Sequence, residues 1–229
     1  MSRLSSQSRP DLAYDALNLS TILNKASAKD AKESRKAAIK AKTENFPIKY
    51  SHLGDFKDLH IEVFADASFA NIENGLQTKS VMGSTIYLAN KELRVNPIQW
   101  KSKVIEKVTP DTKTAETLAL ENAIDDAIHL SEMISEVYTG EIKGGHQIPL
   151  IVREDSKALI QSLYSTHKVK RKTMWVIISC IQQHIQTGII KDIFHVKSNQ
   201  QLADVFTKKG VNTQTIIETM SSGIIDFRL

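Results

Sequence analysis

Alternating hydrophobic and polar positions predict three successive strands between residues 59 and 101. Apolar positions in residues 59–65 recur at every second place, which predicts a strand buried on at least one face. Residues 80–89 predict a second strand, and residues 94–101 predict a third. Pro97 cannot donate a hydrogen bond to a sheet, so we expect the third strand at an edge. Three strands in quick succession predict an antiparallel meander.

The hydrophobic period then changes to that of a helix. Residues 112–137 carry an apolar stripe at helical spacing, which predicts a long helix that packs on the sheet. Residues 148–152 are continuously apolar, which is typical of a fully buried central strand. The further predicted elements are helices at 156–164 and 173–187, a strand at 189–196 and a final helix from about 200 to 207.

This order of elements predicts an α/β fold. It indicates a three-layer arrangement in which helices flank a mixed five-stranded sheet. The first three strands would be antiparallel, and the later strands would join through helical crossovers. In such sheets, sites form at the carboxyl ends of central strands, where the connections diverge.

The first 44 residues predict helices with a thin apolar face. Residues 10–44 have helical spacing, and Ser27 with Asp30 resembles a capping box that starts a second helix. Most apolar positions of that helix are alanines, so it buries too little area to fold alone. We expect this segment to pack on the domain that follows it or on one that precedes it.

Composition is that of an ordinary folded protein. The 229 residues are 41% hydrophobic and 24% charged, which suits one medium domain, or one domain with a partial neighbour. No stretch is apolar enough to predict a membrane span or a signal peptide. The single cysteine, Cys180, excludes an internal disulfide and a cysteine-based zinc site, which fits a reducing compartment.

The small basic excess is unevenly distributed. The net charge is +4, and residues 1–60 contain 11 basic and 7 acidic residues, whereas residues 61–229 contain 19 of each. A positive excess mildly favours an anionic partner. Residues 61–229 carry no net charge, so the role of each of their carboxylates is considered separately.

Four carboxylates fall where the predicted elements would bring them together: Asp66, Glu116, Asp155 and Asp204. They come from four separate elements, as a cage for two hard divalent cations requires. Taken singly, each has an ordinary alternative. Asp155 could be a helix N-cap, Asp66 a turn residue and Glu116 a partner of the helix dipole. Asp204 is flanked by apolar residues, so a purely solvated role is less favoured.

The sequence resembles the ribonuclease H domain of Copia-type retrotransposon polyproteins across about residues 60–210. The stretches that carry the resemblance are VFADASFA, PIQWKSKVIEKVTPDTKTAETLAL, VREDSKALIQSL and HVKSNQQLADVFTKKG. The segment SSQSRPDLAYDALNLS resembles the end of the reverse transcriptase region that precedes this domain. The resemblance therefore implies a ribonuclease H-like fold.

The resemblance also implies a reaction, namely hydrolysis of the RNA strand of an RNA–DNA hybrid with two Mg²⁺ ions, for which Mn²⁺ could substitute. By resemblance, Asp66 bridges both ions and Asp204 binds the ion that activates the attacking water. Glu116 and Asp155 would hold the ion that stabilises the leaving oxygen. Contacts to 2′-hydroxyl groups would select RNA.

The domain division implied by the resemblance has three parts. Residues 1–58 would be a helical remnant of the reverse transcriptase thumb and connection, residues 59–210 the ribonuclease H-like domain, and residues 211–229 a C-terminal helix or tail. Partners would be the hybrid, the reverse transcriptase region and other polyprotein products, with no membrane. The expected location is the cytoplasm, in a virus-like particle if the element is active, with the nucleus as a second compartment.

A basic cluster precedes the predicted helix at 173–187. It consists of Lys168, Lys170, Arg171 and Lys172. It could contact the phosphates of the hybrid, or it could be a solvated helix start.

Two departures from the family pattern bear on activity. The loop before Asp204 lacks the histidine found in many ribonucleases H, and Glu154 adds a charge beside Asp155. We expect Glu154 to point to the opposite side of the strand end. The only Asp-Asp pair, Asp125-Asp126, lies within a predicted helix, which excludes polymerase activity.

Two other functions compete with the nuclease. One is a catalytically idle remnant that binds nucleic acid or protein, and the other, which fits the motifs less well, is a DNA-cutting integrase or transposase.

Overall fold

The computed structural model describes residues 2–22, 26–74, 77–140, 148–165 and 171–227. The strands are β1 (His60–Asn74), β2 (Gln77–Ala89), β3 (Val95–Val104), β4 (Leu150–Glu154) and β5 (Ile190–His195). The helices are α1 (Ser2–Gln7), α2 (Ala13–Thr21), α3 (Ala28–Thr43), α4 (Thr112–Thr139), α5 (Lys157–Tyr164), α6 (Lys172–Gln186) and α7 (Gln214–Ser222). Within these ranges, no helix is both long enough and apolar enough to cross a lipid bilayer.

The five strands form one mixed sheet in the order β3-β2-β1-β4-β5. The pairs β1–β2 and β2–β3 are antiparallel, while β4 is parallel to both β1 and β5. This confirms the predicted α/β class with a mixed five-stranded sheet whose first three strands are antiparallel. β3 lies at an edge, as Pro97 predicts, and the proline sits beside an irregularity in the β2–β3 register, where a missing donor is tolerated.

Helices cover both faces of the sheet and give it three layers. On one face, α4 and α6 pack through side chains such as Leu120 and Ile178 against Ile61 and Val152 of the sheet. On the other face, Phe206 belongs to a second core cluster together with residues of α7. The long helix predicted at 112–137 is thereby confirmed as α4.

The N-terminal segment packs on the sheet, which is the first of the two possibilities left open above. Trp100 of β3 donates an indole hydrogen bond to the Ser5 carbonyl at 2.7 Å. Tyr14 of α2 packs with Ile72 and Val81 of the β1–β2 hairpin. Whether residues 1–58 derive from a reverse transcriptase stays a prediction.

The capping box of the N-terminal segment is confirmed. Ser27 caps α3, with its hydroxyl accepting from the Asp30 amide and the Asp30 carboxylate accepting from the Ser27 amide.

The predicted final helix at 200–207 is wrong. The chain there forms two single 3₁₀ turns, Ser198–Gln200 and Asp204–Phe206, and the helix α7 comes later. The apolar residues that suggested a helix are buried for another reason, because this segment lies flat on the sheet over β1 and β2. Asp204 is therefore presented by a tight turn.

A buried ion pair joins Glu62 of β1 to Arg153 of β4. Arg153 donates to both carboxylate oxygens of Glu62 at 2.7 and 2.9 Å, and His60 bonds Glu62 at 3.0 Å. The guanidinium also lies 4.7 Å from the ring centroids of Phe194 and Phe227. Burial would raise the pKa of Glu62, but the hydrogen bonds from Arg153 and His60 outweigh it and hold that pKa below its usual range.

Replacing Arg153 with methionine should destabilise the fold strongly. The Glu62 side chain is 0% exposed and would become a buried charge without its main partner, which typically costs about 3–5 kcal/mol. Urea unfolding of the purified variant measures the loss. Arg94→Met removes an exposed guanidinium paired with Glu92 and should change the free energy of unfolding by less than about 0.5 kcal/mol. Equal losses in the two variants would contradict this account of Glu62.

Candidate active site

Two of the predicted carboxylates lie where β1 and β4 separate. The parallel pairing of these strands ends at Phe64 opposite Arg153. Asp66 follows two residues later on β1, and Asp155 follows directly after the last residue of β4. The connections leaving such a point diverge, which opens space for a ligand between the strands.

The other two carboxylates approach this point from separate elements. Glu116 lies near the start of α4, and Asp204 begins a 3₁₀ turn that packs over the sheet. The charges of Asp155 and Asp204 both raise the pKa of Asp66, and Asp155 also raises that of Glu116. The structure therefore brings all four predicted residues into one electrostatically linked group.

Asp66 is the most buried of the four, with 7% of its surface exposed. Burial raises its pKa to about 7, helped by Asp204 and Asp155 and opposed by Lys208 and a hydrogen bond from Thr207. The charged form of Asp66 is therefore costly at neutral pH unless a cation offsets it. A cation bound beside Asp66 would lower this cost.

Thr207 and Lys208 contact this group directly. The Thr207 hydroxyl donates to Asp66 Oδ2, and Thr207 is fully buried. The Lys208 ammonium lies 2.8 Å from Asp204 Oδ1 and 3.3 Å from Asp66 Oδ2. One lysine thus joins two of the predicted metal ligands.

Gly83 allows the turn of Asp204 to reach the sheet. It lies opposite Asp66 in the β1–β2 register. A Cβ atom at this position would lie 2.6 Å from the Phe206 Cβ and 2.8 Å from the Thr207 Cγ2, closer than any real contact of this kind. Only glycine lets these residues pack against β2 without a shift.

Gln201 links the ends of the two central strands. Its buried side-chain amide donates to the Ala65 carbonyl at 3.0 Å and to the Arg153 carbonyl at 3.5 Å. These carbonyls lie just where the β1–β4 ladder stops, so the amide continues the bonding that the backbone no longer supplies. Gln201 thereby helps to fix the separation of Asp66 and Asp155.

Glu154 remains part of the charged group although we expected it to point away. Its side chain is buried, and its carboxylate accepts a hydrogen bond from the Ser156 amide at 2.9 Å. Burial raises its pKa well above the usual value, and Asp155, Glu116 and Asp66 raise it further. The extra acid therefore adds a fifth carboxyl group, within electrostatic reach of Asp155, Glu116 and Asp66.

The predicted phosphate-binding cluster is only partly described. Lys168 and Lys170 lie outside the described residues. Lys172 is exposed at the start of α6, while Arg171 pairs with Asp111 Oδ2 at 2.8 Å. Since Asp111 is the N-cap of α4, Arg171 ties the starts of α6 and α4 together. A contact with nucleic acid by these residues stays a prediction.

The donor set fits a hard divalent cation such as Mg²⁺ or Mn²⁺, which prefers carboxylate oxygens. Across the described ranges, no three acidic, histidine or cysteine side chains are close enough to form a ready-made metal site. The Lys208 ammonium already occupies a position between Asp66 and Asp204, as a cation bound by both would. Asp66 and Asp204, the first and last of the four predicted acids along the sequence, therefore already hold a cation between them.

Sequence reasoning identified the acids of this site but missed the residues that position them. Gln201, Thr207 and Lys208 all fall in the segment QQLADVFTKK, in which the sequence predicts only Asp204 as a site residue. Gly83 has no signal in a single sequence beyond being a glycine inside a predicted strand, which often marks a close approach of backbone.

No protein-family model and no curated protein matches the sequence significantly. Several solved structures are similar to the chain. LC11-RNase H1, isolated from compost by a metagenomic approach and also solved with an RNA/DNA hybrid, is 17% identical with a TM-score of 0.46, covering 65% of this chain and 92% of its own. The N-terminal RNase H domain of a Mycobacterium tuberculosis protein is 17% identical with a TM-score of 0.44, covering 65% and 91%.

A third similar structure is the PFV RNase H domain in solution. It is 17% identical, with a TM-score of 0.42, and the match covers 72% of this chain and 91% of that one. The fold assignment rests on the sheet order and strand directions of the chain itself.

Gly83→Ala should destabilise the protein by about 1–3 kcal/mol, because the added methyl group overpacks the contact with Phe206 and Thr207. Thermal and urea unfolding measure the change. Adding Thr207→Ser removes the clashing Cγ2 while retaining the hydroxyl on Asp66, so the double variant should recover part of the loss. Full additivity of the two substitutions would argue against this contact.

Asp66→Asn should stabilise the metal-free protein at pH 8. The unfolded chain releases the Asp66 proton near pH 4, whereas the folded protein retains it up to about pH 7. The stability of the natural protein therefore falls as pH rises between these values, by on the order of 2–4 kcal/mol, and Asn removes this fall. Unfolding in EDTA from pH 4 to 8 tests it.

The matched control is Asp192→Asn, which makes the same substitution at an exposed aspartate of β5. This control should follow the pH dependence of the natural protein. An Asp66→Asn profile parallel to that of the natural protein would show that Asp66 carries no cost of ionisation.

Proposed function

We propose that the chain is a metal-dependent endonuclease that hydrolyses the RNA strand of RNA–DNA hybrids. The observation that carries this proposal is the electrostatic linkage of Asp66 to Asp155 and Asp204, and of Glu116 to Asp155, at the point where β1 and β4 diverge. Charged groups are costly to crowd at a half-buried position, so such a group needs a cationic ligand to offset its repulsion. Hydrolysis of a phosphodiester bond can use two divalent ions bound next to the phosphate group, and these ions would supply the offsetting charge.

Each of the four carboxylates has a separate task under this proposal. Asp66, on the rigid β1 strand, would hold both ions, with Asp204 on the side of the attacking water. Glu116 and Asp155 would hold the ion on the side of the leaving oxygen. Bound Mg²⁺ or Mn²⁺ supplies charge stabilisation to the phosphate and lowers the pKa of a bound water.

The chain itself orients these ligands through neutral contacts. Thr207 donates to Asp66, and Ser198 donates to Asp155 Oδ2 at 3.2 Å. Gln201 fixes the two strand ends, and Gly83 allows the turn that bears Asp204 to pack over them. Preorganisation of this kind lowers the reorganisation needed when metal and substrate bind.

The origin in a Copia-type retrotransposon polyprotein rests on the motifs quoted above, and so does a cytoplasmic or particle-bound location. The assignment of residues 1–58 to a remnant of the reverse transcriptase thumb and connection is part of the same proposal. The packing of α1 and α2 against β3 is compatible with such a junction.

The decisive experiment incubates the protein with a duplex of labelled RNA and DNA. Cleavage of the RNA strand should require Mg²⁺ or Mn²⁺ and should stop with EDTA. Asp66→Asn should reduce the rate by roughly 1,000-fold or more, equivalent to about 4 kcal/mol of activation barrier, while circular dichroism stays unchanged. Asp192→Asn is the control that makes the same chemical change at an exposed position and should keep full activity.

The alternative of an idle binding module has its own signature. It would bind the hybrid with an affinity that falls steeply with salt, and it would leave the RNA intact with either metal. Cleavage of duplex DNA in preference to the hybrid would instead indicate the integrase-like or transposase-like activity. Either result, obtained with folded protein, would overturn the proposed nuclease.

A further inference from the structure

Lys208 occupies an unusual place for a lysine, between two acids of the candidate active site. Its ammonium group lies 2.8 Å from Asp204 Oδ1 and 3.3 Å from Asp66 Oδ2. The side chain of Asp66 is 6% exposed and that of Asp204 is 16% exposed, so neither carboxylate is well solvated. One ammonium therefore offsets the charge of two carboxylates that water stabilises poorly.

The next residue shows that this contact is specific. Lys209 turns away from the site and pairs with Glu33 Oε2 of α3 at 3.0 Å, with 54% of its side chain exposed. Two consecutive lysines thus have the same charge but different partners. Of these two lysines, Lys208 contacts the predicted metal ligands and Lys209 does not.

The lysine and a divalent ion would use the same two carboxylates. A cation held by both Asp66 and Asp204 would lie within a few ångströms of the ammonium, which now contacts Oδ2 of the first and Oδ1 of the second. An ammonium and a divalent ion a few ångströms apart in a poorly solvated site repel each other strongly. The two cations therefore exclude each other from this position.

We propose that Lys208 is a built-in cation that holds Asp66 and Asp204 together in the metal-free protein and withdraws when a divalent ion binds. This inference rests on the proposed function, since it concerns the same carboxylates. It assigns Lys208 a positioning role: the lysine keeps the ligands near their binding geometry at the expense of metal affinity.

The structure offers room for the withdrawal. Lys208 lines a cavity of about 330 Å³ between α2, α3 and the chain after Phe206. The lining includes carboxylates (Asp15 and Glu33) and ammonium groups (Lys36 and Lys40), so the space is polar. A displaced ammonium can therefore remain solvated beside the site.

The first test measures Mn²⁺ binding by calorimetry, without nucleic acid, to the natural protein and to Lys208→Gln and Lys209→Gln. Lys208→Gln should bind Mn²⁺ roughly tenfold more tightly, because no ion pair has to be broken; this equals about 1.4 kcal/mol. Lys209→Gln removes the same charge from the neighbouring residue and should bind like the natural protein. Equal or weaker binding by Lys208→Gln, relative to Lys209→Gln, would overturn the proposal.

The second test measures thermal unfolding in EDTA at pH 8. Lys208→Gln should melt at a lower temperature than Lys209→Gln, because Asp66 and Asp204 then repel each other without an offsetting cation. Combining Lys208→Gln with Asp66→Asn should remove that loss. Equal melting temperatures for the two lysine variants would contradict the bridging role. Lys208→Arg, which keeps the charge, should behave like the natural protein in both tests.

These measurements separate the inference from the nuclease function. Tighter Mn²⁺ binding by Lys208→Gln with no cleavage of the hybrid by any variant would overturn the nuclease function and support the role of Lys208. Cleavage by the natural protein together with unchanged Mn²⁺ affinity in Lys208→Gln would do the reverse. Failure of every variant to bind Mn²⁺ would overturn both.

Discussion

Repulsion among carboxylates at the ends of β1 and β4 is the constraint on which the rest of the site depends. Asp66 is electrostatically linked to Asp155 and Asp204, and Asp155 is linked in turn to Glu116 and Glu154. Burial raises the pKa of three of these acids, Asp66, Glu116 and Glu154. A fold that crowds acids in this way must supply donors and cations nearby, or it loses stability as the acids ionise. The sheet provides the rigidity that keeps the group assembled against this repulsion.

Three of the side chains that stabilise this group come from one short segment, residues 201–208. Gln201 fixes the strand ends, Thr207 donates to Asp66, and Lys208 bridges Asp66 to Asp204. The same segment contributes Phe206 to the core, which anchors it on the sheet over Gly83. Packing and electrostatics are therefore coupled here, because a shift of the Phe206 contact displaces the groups that stabilise Asp66.

Local patterns predicted the elements, since strand alternation, helical stripes and caps are set by neighbouring residues. Pro97 correctly indicated an edge strand, and Ser27 with Asp30 correctly indicated a capping box.

The turn of Asp204 was mistaken for a helix because closely spaced apolar residues occur in helices and in buried turns alike. Its true conformation depends on contacts with β1 and β2, and Thr207 and Asp66 are separated by 141 positions. Spacing alone could not reveal such contacts, nor the role of Lys208.

The basic excess of the first 60 residues has a structural use that composition did not suggest. Arg9 and Lys40 both pair with the buried Asp11, which ties α3 to the chain before α2. Glu33 of α3 in turn pairs with Lys209, the residue next to Lys208. The N-terminal helices thus contact the loop that follows Asp204 through the Glu33–Lys209 ion pair. Part of their positive charge is neutralised by Asp11 within the same segment. Their arrangement connects the candidate site to the segment that precedes the domain, because a displacement of α3 would act on Lys209, the residue next to the lysine between Asp66 and Asp204.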